Sequence, residues 1–118
     1  MAVIDAQVFD TGFERVAVWP GLQHSDTGSP VDFSRYARVV VSVTGDFDGE
    51  DVVIEANNVL TDTPVYEQMA DVHGEDAELD DDGFIDLGKW NNHFLRPSVT
   101  DEGSDQTTTI TVVAVGVR

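Results

Sequence analysis

Thr107-Thr108-Thr109-Ile110-Thr111-Val112-Val113-Ala114-Val115 is a nine-residue run built almost wholly of β-branched side chains. Such residues suit a pleated, half-buried strand better than a helix. Successive side chains of a strand point to opposite faces. Ile110, Val112 and Ala114 therefore share one face, and Thr109, Thr111, Val113 and Val115 the other. The first half alternates polar with apolar, as for a sheet with one wet side. The second half is apolar on both faces, which marks Val113 and Val115 as candidates for contact with another chain.

Upstream, the same grammar recurs: short β-branched runs separated by Gly, Asp, Asn, Ser and Pro, with almost no helical periodicity. It predicts strands at Phe13–Trp19, stopped by Pro20-Gly21, and at Tyr36–Thr44 and Val52–Asn57. Weaker strands are expected at Val65–Ala70 and Phe84–Leu87, and two final ones at His93–Val99 and Thr107–Val117. The polar segment Leu22 to Pro30 reads as a loop. The short link Gly45-Asp46-Phe47-Asp48-Gly49 predicts that the strands on either side of it form a hairpin. Many short, evenly spaced strands imply an all-β fold, a single antiparallel β-sandwich or small jelly roll. Residues 13–118 are its expected extent. Residues 1–12, Met1 to Gly12, match no strand pattern and are expected to form an N-terminal arm reaching a neighbour.

The 118 residues suffice for one packed core, and the 41% hydrophobic content places the chain among folding sequences. Asp and Glu number 23 against 6 Lys and Arg, a formal charge of -17. That charge repels phosphate backbones and anionic membranes, so neither nucleic acid nor membrane is expected as a partner. Of the acids 16 are Asp, and Lys89 is the single lysine. An Asp-rich, Lys-poor surface resembles that of proteins from salt-loving organisms, where concentrated salt screens the self-repulsion; the alternative is simply an acidic surface protein. With no cysteine, disulfides are excluded. Met1-Ala2-Val3-Ile4-Asp5 lacks a basic n-region and an apolar h-region, and no apolar run approaches the span of a bilayer. Cytoplasmic synthesis is the expectation.

Signals for catalysis are weak. His24, His73 and His93 lie in separate segments, without HxH or HExxH spacing, and no GxSxG occurs. The chain is therefore not expected to be an enzyme. Two acidic turns bear on metal binding. Asp46-Phe47-Asp48-Gly49 resembles the start of a calcium loop, but the twelfth position is Asn57 rather than Glu. The other turn is Glu78-Leu79-Asp80-Asp81-Asp82-Gly83. Asp46, Asp48, Asp80 and Asp82 are the candidate ligands; beyond Ca2+ or a similar cation there, no cofactor is expected. Trp90 sits in the polar stretch Gly88-Lys89-Trp90-Asn91-Asn92 and is either a core edge or an interface anchor. Phe9 is a further interface candidate. Arg96 can pair with a carboxylate of its own or a neighbouring chain, and Pro97, lacking a donor, belongs on an edge strand or at a bulge.

Read in order, the segments Phe13-Glu14-Arg15-Val16-Ala17-Val18-Trp19-Pro20-Gly21-Leu22, Asp26-Thr27-Gly28-Ser29-Pro30-Val31, Tyr36–Gly45, Val53-Ile54-Glu55-Ala56-Asn57-Asn58 and Phe94-Leu95-Arg96-Pro97-Ser98-Val99-Thr100, then a Thr/Val strand, carry a resemblance. The layout resembles a group of small β-sandwich proteins encoded among tailed-phage head genes. It departs from their pattern at the turn Asp101-Glu102-Gly103-Ser104-Asp105 and in the acidic segment Ala70–Asp82. The resemblance implies a virion structural protein without enzymatic activity: a capsid decoration, turret or head-accessory protein, on the capsid surface. Its implied partners are the major capsid protein and further copies of itself on a symmetry axis. With the acidic surface, the host is expected to be halophilic. The alternative is a receptor- or carbohydrate-binding sandwich of a tail or fibre, with Trp19, Trp90 and Tyr66 as a sugar platform; a tail-tube or connector role is a third reading.

Overall fold

The computed structural model describes residues 2–57, 66–90, 93–100 and 108–118. Twelve strands follow one another among them. They are β1 (Val3–Ile4), β2 (Gln7–Asp10), β3 (Glu14–Leu22), β4 (Thr27–Gly28), β5 (Val31–Asp32) and β6 (Arg38–Asp46). Then come β7 (Val52–Asn57), β8 (Glu67–Gln68), β9 (Glu78–Leu79), β10 (Gly83–Lys89), β11 (Phe94–Val99) and β12 (Thr109–Val117). Sheet I runs β1-β4-β11-β7-β8, with β5 also on β11 and β9 also on β7; sheet II runs β10-β6-β12-β3-β2. The fold is all-β, two sheets packed face to face. Every described pairing between strands is antiparallel except the parallel contact of β1 with β4.

The run that predicts the fold lies at the centre of sheet II. β12 pairs with β6 over its whole length and with β3 on its other side. Ile110, Val112 and Ala114 are buried, while Val113 and Val115 lie half-buried on the outer face. Val39, Val41 and Val43 of β6 and Ala17 and Trp19 of β3 point the same way as Ile110. Sheet I closes the core with Val52, Ile54 and Ala56 of β7 and Leu95 and Val99 of β11.

Three expectations are corrected. β6 and β7 are not a hairpin: β6 belongs to sheet II and β7 to sheet I. The link between them is a corner crossing the sandwich, with Phe47 buried beneath it and Gly49 at φ 83. Both strands bury alternate residues, and each fills the core from its own side. Pro20-Gly21 does not stop β3. The register slips between Ile110 and Val112, where Leu22 and Trp19 are the partners, and Gly21 takes φ 66. A bulge thus absorbs the missing proline donor and re-aims Leu22 inward. Of residues 1–12, expected as an arm reaching a neighbour, the described residues 2–12 contribute to both sheets: β1 lies on β4, and β2 on β3. Ser29 N–H donates to the Ile4 carbonyl at 2.8 Å, and Ala6 N–H to Ser29 Oγ at 3.0 Å.

Pro97 is neither on an edge nor at a bulge. It is a buried residue of β11, paired with Ile54. On its other side β11 meets β5 at Phe94 and Leu95 and β4 at Ser98, so the proline falls between these two short strands, where neither pairs with it. Gly28 allows this close approach: a Cβ there would lie 2.5 Å from Trp19 Cδ1 and 2.6 Å from Pro97 Cδ. Trp19 is fully buried, and its Nε1–H donates to the Ser29 carbonyl at 2.8 Å.

Candidate interaction face

Ladder partners in a sheet share a face, so register converts the outward residues of β12 into a surface. One row runs Phe9, Val16, Val115, Val40, Asp86 across sheet II. The next runs Gln7, Val18, Val113, Ser42, Phe84. Phe9 is 58% and Phe84 71% exposed, and the valines between them are half-buried by one another. Three of the sequence-based interface candidates, Phe9, Val113 and Val115, thus come together on one apolar face. The other two do not. Trp90 is a core residue, only 4% exposed, edge-to-face with Phe33 at a centroid distance of 6.4 Å. Arg96 lies on the outer side of sheet I, where its Nε–H donates to Glu55 Oε1 at 3.0 Å and its guanidinium stacks on Tyr66 at 3.8 Å. Burial pushes the Tyr66 hydroxyl above its ordinary pKa, with Arg96 opposing. With Trp19 and Trp90 both buried, the two tryptophans cannot build a sugar platform.

Charge is unevenly spread along sheet II. Arg15 starts β3, Arg38 starts β6, Lys89 ends β10, Arg118 follows β12, and Arg35 lies in the turn before β6. These five of the six cations lie at one end of the sheet, since Val117 is the partner of both Arg38 and Glu14, and Lys89 is the partner of Arg38. Tyr36 sits among them, with the Arg15 and Arg118 guanidinium carbons 5.5 and 5.8 Å from its ring centroid. Arg15 donates to Asp10 Oδ2 from Nε at 3.1 Å and from Nη2 at 2.8 Å. The Gly12 amide, then Arg15 and the Tyr36 hydroxyl, hold the Asp10 carboxyl down at a pKa of about 2. Arg38 pairs with Asp86, whose carboxyl it holds below the usual range. A polar cavity of about 200 Å3 opens here between Arg15, Asp32, Ser34, Arg35 and Tyr36.

The acidic turns gather at the opposite end. Asp82 Oδ1 accepts the Gly45 amide at 2.9 Å, which brings the two turns side by side. Among the described residues, however, no three His, Asp or Glu side chains are placed to hold a metal. The candidate ligands Asp46, Asp48, Asp80 and Asp82 are among these side chains. Nearby, Glu50 is fully buried, with His24 Nδ1 at 2.7 Å from its Oε2. Along the β10 margin lies a cavity of about 290 Å3. It is lined by apolar Val72, Leu79, Phe84 and Ile85 and by polar Asp71, His73, Glu75, Asp76, Glu78 and Asp86. Composition points to neither the apolar face nor this cleft; the outward half of each strand's alternation, combined with the ladder register, is what locates them.

No family model and no curated protein matches the chain. Among solved structures, it is similar to the SPBc2 prophage-derived protein YomS, with a TM-score of 0.57 and 11% identity over 93% of this chain and 99% of that one. It is also similar to protein NMB1881 from Neisseria meningitidis (TM-score 0.45, 8% identity, 96% and 83% of the two chains). A third is the Drosophila melanogaster CENP-C cupin domain (TM-score 0.37, 7% identity, 95% and 65% of the chains). At these identities the likeness to YomS is one of fold.

Proposed function

We propose that this chain is a virion structural protein of a tailed virus, a capsid decoration, turret or head-accessory protein that acts by surface contact and not by catalysis. The observation that carries the reading is the fold shared with a prophage-derived protein over nearly the whole of both chains. The apolar outer face of sheet II supports it, because an accessory protein needs a surface to lay against the shell. Interfaces favour aromatic residues at a core poor in charge, and the rows from Phe9 to Val40 and from Val18 to Phe84 are of that kind. The partners are the major capsid protein and further copies of the chain, on the capsid surface. The charge of -17 favours a halophilic host.

The test is co-sedimentation of purified protein with shells that lack it, in molar salt. Binding is expected, and Val113→Asp with Phe9→Asp, both on the outer face, should weaken it at least tenfold while leaving the circular-dichroism spectrum unchanged. Absence of wild-type protein from the shell pellet, and from virions examined by electron microscopy, would overturn the reading.

A further inference from the structure

Sheet II has two unlike regions, here called margins. At the strand ends of β3 and β12, in the turn from β2, Phe13 is 82% exposed, and the Arg118 amide donates to its carbonyl at 3.1 Å. Val117, the ladder partner of Glu14, is 37% exposed there, and Arg35 and Arg118 are exposed close by, around Tyr36. This margin joins exposed apolar groups to arginines, the composition of interface hot spots. The β10 margin is its counterpart. The cleft of about 290 Å3 there is lined by apolar Val72, Leu79 and Phe84 and by the carboxylates of Asp71, Glu75 and Asp76, with Val72 and Phe84 themselves exposed. Strand β6 stands between β12, which carries Val117 and leads into Arg118, and β10, so the two regions are distinct surfaces of the sheet.

We infer that the two margins are complementary halves of one contact, and that the cleft receives a second copy of this chain: Phe13 enters it, and Arg35 and Arg118 meet its carboxylate rim. Charge complementarity selects this occupant. A chain of -17 repels its copies over most of its surface, but Arg35 and Arg118 can approach a carboxylate rim, whereas Arg15 is paired with Asp10 and Arg38 with Asp86. The apolar groups match as well, exposed Phe13 against exposed Val72 and Phe84. Because the halves are different surfaces, the contact is heterologous: each copy gives one margin and receives the other, so copies add head to tail into a ring or a row. The cleft shares Phe84 with the outer face of sheet II, so a copy seated there covers the β10 end of that face, while the rows from Phe9 to Val40 stay open.

Heterologous contacts have a signature in mixtures. Wild-type protein in 1 M salt should show a weight-average mass by sedimentation equilibrium that rises with concentration above the 12.9 kDa protomer. Phe13→Asp spoils one margin, and Glu75→Lys with Asp76→Lys the other; each variant alone should stay at protomer mass. Mixed, they retain one intact pair of margins and should form a species of twice the protomer mass that grows no further. Arg118→Glu, at an exposed position, should weaken assembly at least tenfold without altering the fold. A wild-type chain monomeric up to millimolar concentration overturns the inference. Assembly undiminished in either margin variant, or a mixture that stays at protomer mass, overturns it equally.

Discussion

Lowering the salt concentration should unfold this protein, and the size of the effect follows from its charge and dimensions. The extents are 38 × 30 × 27 Å, equivalent to a sphere whose radius is half their mean, about 16 Å. Spreading a charge of -17 over that sphere in water costs roughly 24 kcal/mol at 0.01 M salt, where the Debye length is about 30 Å, and roughly 6 kcal/mol at 1 M, where it is about 3 Å. For an unfolded chain of this length, with a radius of gyration near 35 Å, the corresponding costs are roughly 8 and 1 kcal/mol. The folded state is thus penalised by roughly 16 kcal/mol in dilute salt and 5 kcal/mol in concentrated salt, a swing of about 11 kcal/mol. Domains of this size have a net stability of about 5–15 kcal/mol, so the swing is large enough to decide whether the chain folds. Thermal melting followed by circular dichroism from 0.01 to 2 M NaCl, repeated in KCl, measures it. The melting temperature should climb steeply and alike in both salts. A flat profile would refute the electrostatic argument and remove the support for a halophilic host.

Three further outcomes are expected. Gly28→Ala forces a Cβ against Trp19 and Pro97 and should cost about 1–3 kcal/mol, seen as a melting temperature lower by about 4–12 °C at fixed salt. Asp10 should titrate by NMR near pH 2; since its folded pKa lies below the ordinary 3.8 of an aspartate, the stability it contributes is present above pH 3.8 and is lost as pH falls through about 2. Arg15→Ala should raise that pKa only part of the way, because the Gly12 amide, the first cause of the shift, remains. Millimolar calcium should move the melting temperature no more than magnesium at equal ionic strength, a comparison that checks the scattered placement of the acidic side chains.

The long strands are legible because each offers several alternations to read. Val52–Asn57 is bounded in the structure as the sequence predicts, and β12 shows the inward and outward faces that its Thr/Val pattern implies. Strands of two residues, such as Val3–Ile4, Thr27–Gly28 and Val31–Asp32, offer no period; hydrogen bonds from distant residues, such as Ser29 N–H to the Ile4 carbonyl, define them. Alternation also says which face a residue takes but not which sheet its strand joins, so the link after β6 reads as a hairpin. Trp90 is a case of phase. Ile85 and Leu87 point inward, which by simple alternation sends Trp90 outward, but the register slips between Asp86 and Lys89, with Gly88 at φ 67. The extra residue turns Gly88 and Trp90 into the core. The candidate face was half legible: Val113 and Val115 announce it, but its other members emerge only when the ladder sets five strands in order.

The order of sheet II also governs when the chain can finish folding. β12, its middle strand, is the last of its strands to be synthesised, while β3 and β6, which flank it, are made far earlier. Until β12 arrives, each of those strands has one long side without its final partner, and the valines of β6 have no completed core to enter. Pairings so distant along the chain close slowly, and unpaired strand margins attract other chains in the meantime. The acidic turns then act as gatekeepers. A nascent chain dense in aspartate repels its neighbours while its longest strands wait for the one that joins them.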